Sequence, residues 1–208
     1  SFDQWRDNAE FFTHFCAEQG MECWGTTVQG HTGHPASTYE FLESIAPSFG
    51  LYNWGVNMDS YQSCVENGGQ LNGGRAKAAL NFWTQLLPFA PPEALQSTWS
   101  EVGSSFAAGR AAQGWVYGEN AAWIATNAEM SAVVGNVGVM LPPTAPGVMT
   151  QAASGNGYIG YFDGGAYGIP HSSKNIEATM LWLQFVAMND HQADWAIAGG
   201  RITHKDTY

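Results

Sequence analysis

Four residues in one short stretch, Trp115, Tyr117, Glu119 and Asn120, have the chemistry of a pocket for an uncharged, hydroxyl-rich solute. Trp and Tyr present flat apolar faces that suit the C–H faces of a sugar and polar tips that reach its hydroxyls. Trp115 and Tyr117 stand two apart, so an extended backbone puts both rings on one face, either as a stacking wall or as packing beneath a neighbouring helix. Glu119 and Asn120 fall where a helix opens, and unpaired N–H groups there favour oxygen ligands. A carboxylate accepts two hydroxyl donors and an amide both donates and accepts; the alternative for either residue is a plain helix cap. Further on, Asp163 offers paired acceptors for vicinal hydroxyls, beside Tyr161 and the Gly164-Gly165 pair, which permits close backbone approach. The other reading of Asp163 and Gly165 is an ordinary turn. Trp54, in an irregular loop, either caps the core or lines the pocket, and Trp24 and Tyr167 stand in reserve.

The elements that must hold these residues are legible nearby. Thr98-Trp99-Ser100-Glu101 is a capping box, Val102 and Phe106 give the helix a buried stripe, and Gly109 ends it. Residues 111–117 read as a short strand, and Gly118 opens the next helix. Upstream, Trp5, Ala9, Phe12 and Cys16 predict a helix from Phe2 to Gln19, stopped by Gly20, and Cys23 to Val28 reads as a strand. Ser37 and Glu40 form a second capping-box pattern before Phe41 and Ile45. Ala76, Ala79, Leu80, Trp83 and Leu87 share one face of a helix that Pro88, Pro91 and Pro92 end. Residues 136–140 read as a short strand before a Pro-rich segment. A helix over 175–188 is expected with Ile176, Met180 and Leu183 inward, then a shorter one around Ala193 to Ala198.

Composition narrows the classes. With 7 Lys+Arg against 18 Asp+Glu, the net charge of −11 excludes nucleic acid, which is bound mainly through clustered cations. No apolar run approaches the roughly 20 residues that cross a bilayer. Nine Trp exceed what a core of this size requires, so some rings face a ligand. His31 and His34 form H-x-x-H, but the Gly/Pro loop around them lacks a third ligand, so a solvated loop is expected and no metal. No cofactor motif is present. Paired carboxylates could hydrolyse a glycoside only across a defined gap that sequence does not give, and no nucleophile motif offers another route.

Two motifs carry a resemblance. Ser105-Phe106-Ala107-Ala108-Gly109-Arg110-Ala111-Ala112 resembles the F-x-x-G-k-a-A segment of the extracellular solute-binding proteins of ABC importers, in particular the sugar-binding group that includes maltodextrin-binding protein. Gly164-Gly165-Ala166-Tyr167-Gly168-Ile169-Pro170, followed by Ser172-Ser173-Lys174-Asn175 and Glu177-Ala178, is similar to that family's strand, turn and helix. With Gly199-Gly200-Arg201, the likeness covers most of the chain from about Gly74 onward.

The resemblance implies an α/β fold of the two-lobed periplasmic-binding type, here as a partial chain. Residues 1–141 would belong to the C-terminal lobe, 142–157 to an interlobe crossing and 158–208 to the returning segment of the N-terminal lobe. Most of one lobe would precede Ser1, and the final helices of the other would follow Tyr208. It further implies non-covalent capture of a small carbohydrate or polyol, delivery to permease subunits, a monomer, a periplasmic or membrane-anchored extracellular setting, and no catalysis. A carbohydrate-active enzyme and a sensing or adhesion module on the same scaffold are the rivals. An export compartment permits a disulfide: Cys16 with Cys23 would join a helix end to the next strand and leave Cys64 unpaired, and three free thiols are the alternative.

Overall fold

The computed structural model describes residues 1–159 and 166–207. Helix α1 (Phe2–Glu18) starts from a reciprocal cap between Ser1 and Gln4 and buries Trp5, Ala9 and Cys16. Cys16 is bonded to Cys23, so the chain turns back sharply at Gly20, and Cys64 is exposed and free. The returning extended segment passes so near α1 that a Cβ on Gly25 would lie 1.8 Å from the Ala9 carbonyl oxygen. Only glycine fits such an approach.

Helix α2 (Pro35–Tyr39) is capped by His34, whose Nδ1 accepts the Ala36 N–H at 3.2 Å. This corrects the expected Ser37–Glu40 capping box: the Ser37 hydroxyl donates to the His34 carbonyl, and Glu40 turns inward. The helix widens into a π-helical turn (Glu40–Ile45) and finishes as α3 (Ala46–Ser48). Glu40 accepts the Gln29 N–H at 2.9 Å and the Trp83 Nε1–H at 2.8 Å. Burial pushes its carboxyl up to about 7, although both donors act to lower it.

Helix α4 (Gly74–Gln85) buries Ala76, Ala79 and Phe82, and Leu86 follows them into the core. The expected face is corrected by this rotation: Leu80 is 45% exposed, because the Phe82 ring packs against Phe2 and Phe49 while Trp83 reaches across to Glu40. Val28, Ile45, Leu51, Phe82 and Leu86 form the centre of the core, with Trp5 and Trp115 at its side. Helices α5 (Trp99–Ala107), α6 (Gly118–Thr126) and α7 (Val148–Ala153) follow.

The expected strands do not form: residues 23–28 and 111–117 are coil with bends at Gly25, Ala112 and Gln113. Among the described residues, pairing reduces to one parallel bridge between Trp24 and Ala111. The buried segment 25–30 is still satisfied: Thr26 N–H donates to the Phe89 carbonyl, Gly30 N–H to Ala94 and Gln29 N–H to Glu40. Its neighbour contains Pro88, Pro91 and Pro92, which have no N–H to return, so no ladder closes. Residues 136–140 likewise form no strand.

Helices α8 (Ile176–Val186) and α9 (Asn189–Ile197) bury no residue. The inward stripe expected on α8 is corrected: Ile176 is 51% and Met180 45% exposed, since no described segment covers them. Gln192 ties this end together, donating to the Val186 carbonyl and accepting the Thr203 N–H. Among the described residues no helix is long and apolar enough to cross a membrane.

Candidate functional site

Helix α5 positions α6. Its capping box forms as expected: Thr98 Oγ1 accepts the Ser100 N–H, and Glu101 accepts the Thr98 N–H at 2.7 Å. The Thr98 hydroxyl and then its N–H hold the Glu101 carboxyl below the usual carboxylate range. From α6, the Asn120 amide donates to the Trp99 carbonyl at 3.1 Å and accepts the Trp123 Nε1–H at 3.3 Å. Asn120 thus orients the Trp123 indole and joins the two helices.

On the other side, Glu119 Oε1 lies 2.7 Å from Arg201 Nε, linking the first turn of α6 to the segment after α9. A crevice of about 810 Å³ runs between α6 and α9, lined by Trp123, Trp195, Glu119, Thr126 and Asn127 and floored by Gly199-Gly200. Its volume is in the range of small-molecule sites. A Cβ on Gly200 would lie 1.4 Å from Trp195 Cδ1, so the indole rests directly on the backbone. The lining supplies two ring systems, a carboxylate, a hydroxyl and an amide.

Next to it is an aromatic shelf. Trp99 meets Tyr117 edge-on at 6.1 Å, His34 at 4.8 Å and Tyr39 at 6.4 Å. His31 lies 5.6 Å from His34. The loop expected to be solvated is therefore half-buried at both histidines, because Trp99 packs under it. Among the described residues, no group of three His, Cys, Asp or Glu could hold a metal ion.

Residues 25–193 match the bacterial extracellular solute-binding protein family. The chain belongs to that family. Three solved structures share its fold. Maltose-bound MalE3 of T. maritima is 22% identical, with a TM-score of 0.73 over 98% of this chain and 48% of that one. An ABC transporter solute-binding protein of Agrobacterium radiobacter K84, in complex with ribitol, is 18% identical with a TM-score of 0.68, over 99% of this chain and 48% of that one. One from Agrobacterium vitis S4, with bound D-mannitol, is 21% identical with a TM-score of 0.64, over 96% and 44%. The chain spans about half the length of these proteins. No curated protein matches the sequence.

The sequence-predicted residues separate in space. Glu119 lines the crevice, and Asn120 stands behind it holding Trp123. Tyr117 joins the shelf, whereas Trp115 packs on Trp5 at 4.2 Å and faces Phe82 edge-on, so the two rings do not share a wall. Trp54 is 47% exposed, at φ 55 in a 3-10 turn, and neither caps the core nor lines the crevice. Tyr161, Asp163 and Gly165 lie outside the described residues. Of the reserves, Trp24 stacks under the Arg110 guanidinium and Tyr167 sets its edge against Trp182. Sequence reading passed over Trp123 and Trp195. The spacing of Trp123, four after Glu119, was the available signal, since such residues share a helix face.

Proposed function

We propose that this chain captures a small carbohydrate or polyol, without chemical change, in the crevice between α6 and α9, and that the whole protein delivers the solute to the permease subunits of an ABC importer. The observation that carries the reading is that the Trp123 and Trp195 rings and the Glu119 carboxylate, itself paired with Arg201, line one crevice. Rings supply contact area, and the charged tips fix the orientation of hydroxyls. Family membership and the ribitol, mannitol and maltose held by three proteins of this fold support the same solute class.

Residues 1–141 are read as most of the C-terminal lobe, 142–157 as the crossing and 158–208 as the returning part of the N-terminal lobe. The change from buried to uncovered helices after α7 supports that division. The crevice then lies where the lobes meet, and lobe closure would exclude water from the solute. The protein works as a monomer in the periplasm, or anchored outside the membrane in a cell that has only one.

The test is calorimetric titration of the full-length protein with ribitol, D-mannitol and maltose, with glycine and a dipeptide as controls. Saturable heat with a hydroxylated solute, recovered intact afterwards, is expected. A ligand at about a hundred times its Kd adds about 2.7 kcal/mol of stability. Heat from the controls alone, or product formation, overturns the reading.

A further inference from the structure

The two histidines of the shelf are held in opposite protonation patterns by their backbone partners. His31 Nδ1 lies 3.1 Å from the Gln96 carbonyl oxygen. A carbonyl only accepts, so Nδ1 carries the hydrogen, and in the neutral ring Nε2 is left as an acceptor. His34 Nδ1 accepts the Ala36 N–H at 3.2 Å, so it carries no hydrogen, and its Nε2 is left as a donor. Neither Nε2 has a hydrogen-bond partner among the described residues. The nearby Glu101 carboxylate is already engaged by Thr98.

We propose that His31 and His34 form a donor–acceptor pair that reads two neighbouring hydroxyls of the bound solute. A hydroxyl both donates and accepts, so a vicinal diol satisfies an acceptor on one ring and a donor on the other at once. Trp99, with Tyr117 at its edge, supplies the apolar surface for the solute's C–H groups. A metal ion does not fit this pair, since the His34 Nε2 lone pair is taken by a hydrogen. The Asn120 amide, bonded to both Trp99 and Trp123, links the central ring of the shelf to a ring that lines the crevice. The inference rests on the reading of a hydroxylated solute and adds the residues that read its stereochemistry.

Nitrogen-15 NMR of the imidazoles in the full-length protein tests the protonation pattern directly. The hydrogen is expected on Nδ1 of His31 and on Nε2 of His34; the same pattern on both rings overturns the proposal. The variants His31→Asn and His34→Asn place an amide group where each Nδ1 sits, which keeps the backbone bond and deletes Nε2. Asn is also a strong helix cap, so α2 is retained in the second variant. Each should weaken binding of the best of ribitol, D-mannitol and maltose about tenfold, the effect of one lost hydrogen bond, with the melting temperature nearly unchanged. Unchanged affinity in both variants overturns the histidine pair alone. A wild type that binds none of the three overturns the function reading and this one with it.

Discussion

Helices α4 and α8 are nearly equal in length, 12 and 11 residues, yet α4 buries three side chains and α8 none. The contrast is sharper because α8 is the more apolar of the two, with Ile176, Met180, Leu181, Trp182, Leu183 and Phe185 in its span. What differs is the surroundings. The Phe82 ring of α4 is enclosed by Phe2, Phe49 and Trp115, which come from three distant segments. Among the described residues, the rings of α8 meet local neighbours, Tyr167 beside Trp182 and His191 beside Phe185. Hydrophobicity states that a helix needs cover; only the rest of a fold states what covers it. The chain spans about half the length of its structural relatives.

The widest gap between the two regions is expected on truncating a leucine. Leu86→Ala, at a fully buried site, should cost about 3 kcal/mol in a urea titration of residues 1–208, and Leu181→Ala, at 67% exposure, under about 0.5 kcal/mol. Equal costs would break the comparison and show that α8 is covered within this chain.

Glu40 sharpens it from the buried side. A carboxyl raised from 4.5 to about 7 binds its proton more tightly in the folded state. Its contribution to stability is therefore full below about pH 4.5 and is lost as the pH rises toward about 7, by roughly 2–3 kcal/mol. Glu93, held low by its own backbone hydrogen bond and then by Arg110, and Glu101, held low by Thr98, work in the opposite sense and only as the pH falls below the ordinary carboxylate range. Denaturant midpoints at about pH 5 and about pH 7.5 should show the loss in the wild type and not in Glu40→Leu; a rise over that interval contradicts the assignment.

The smallest effect belongs to the contact between the regions. Glu119 and Arg201 are both about half exposed, so Glu119→Ala should change stability by no more than about 0.5 kcal/mol. If solute affinity falls several-fold in the same variant, the carboxylate serves the ligand rather than the fold.

What could be read beforehand follows from range. The Thr98–Glu101 cap and the Cys16–Cys23 link depend on residues three and seven apart, and both formed. The same cap pattern at Ser37 failed because Glu40 is claimed by Trp83, 43 positions away. The His31–His34 loop read as solvated since nothing local hints that Trp99 lies beneath it. Trp195 became part of the crevice only through the Gly199-Gly200 turn that lays its ring against the backbone. The strands expected at 23–28 and 111–117 reduce to one bridge, because a strand is a property of two segments and the neighbouring prolines denied the second.

The central claim is that a hydroxylated solute sits between α6 and α9 against Trp123 and Trp195. Its most direct test is the indole N–H spectrum of the nine tryptophans in the full-length protein during titration with ribitol, D-mannitol and maltose. The account predicts that the Trp123 and Trp195 resonances shift with saturation, while Trp5, buried in the core, and Trp83, bonded to Glu40, stay in place. Saturable binding that moves neither Trp123 nor Trp195 would contradict it.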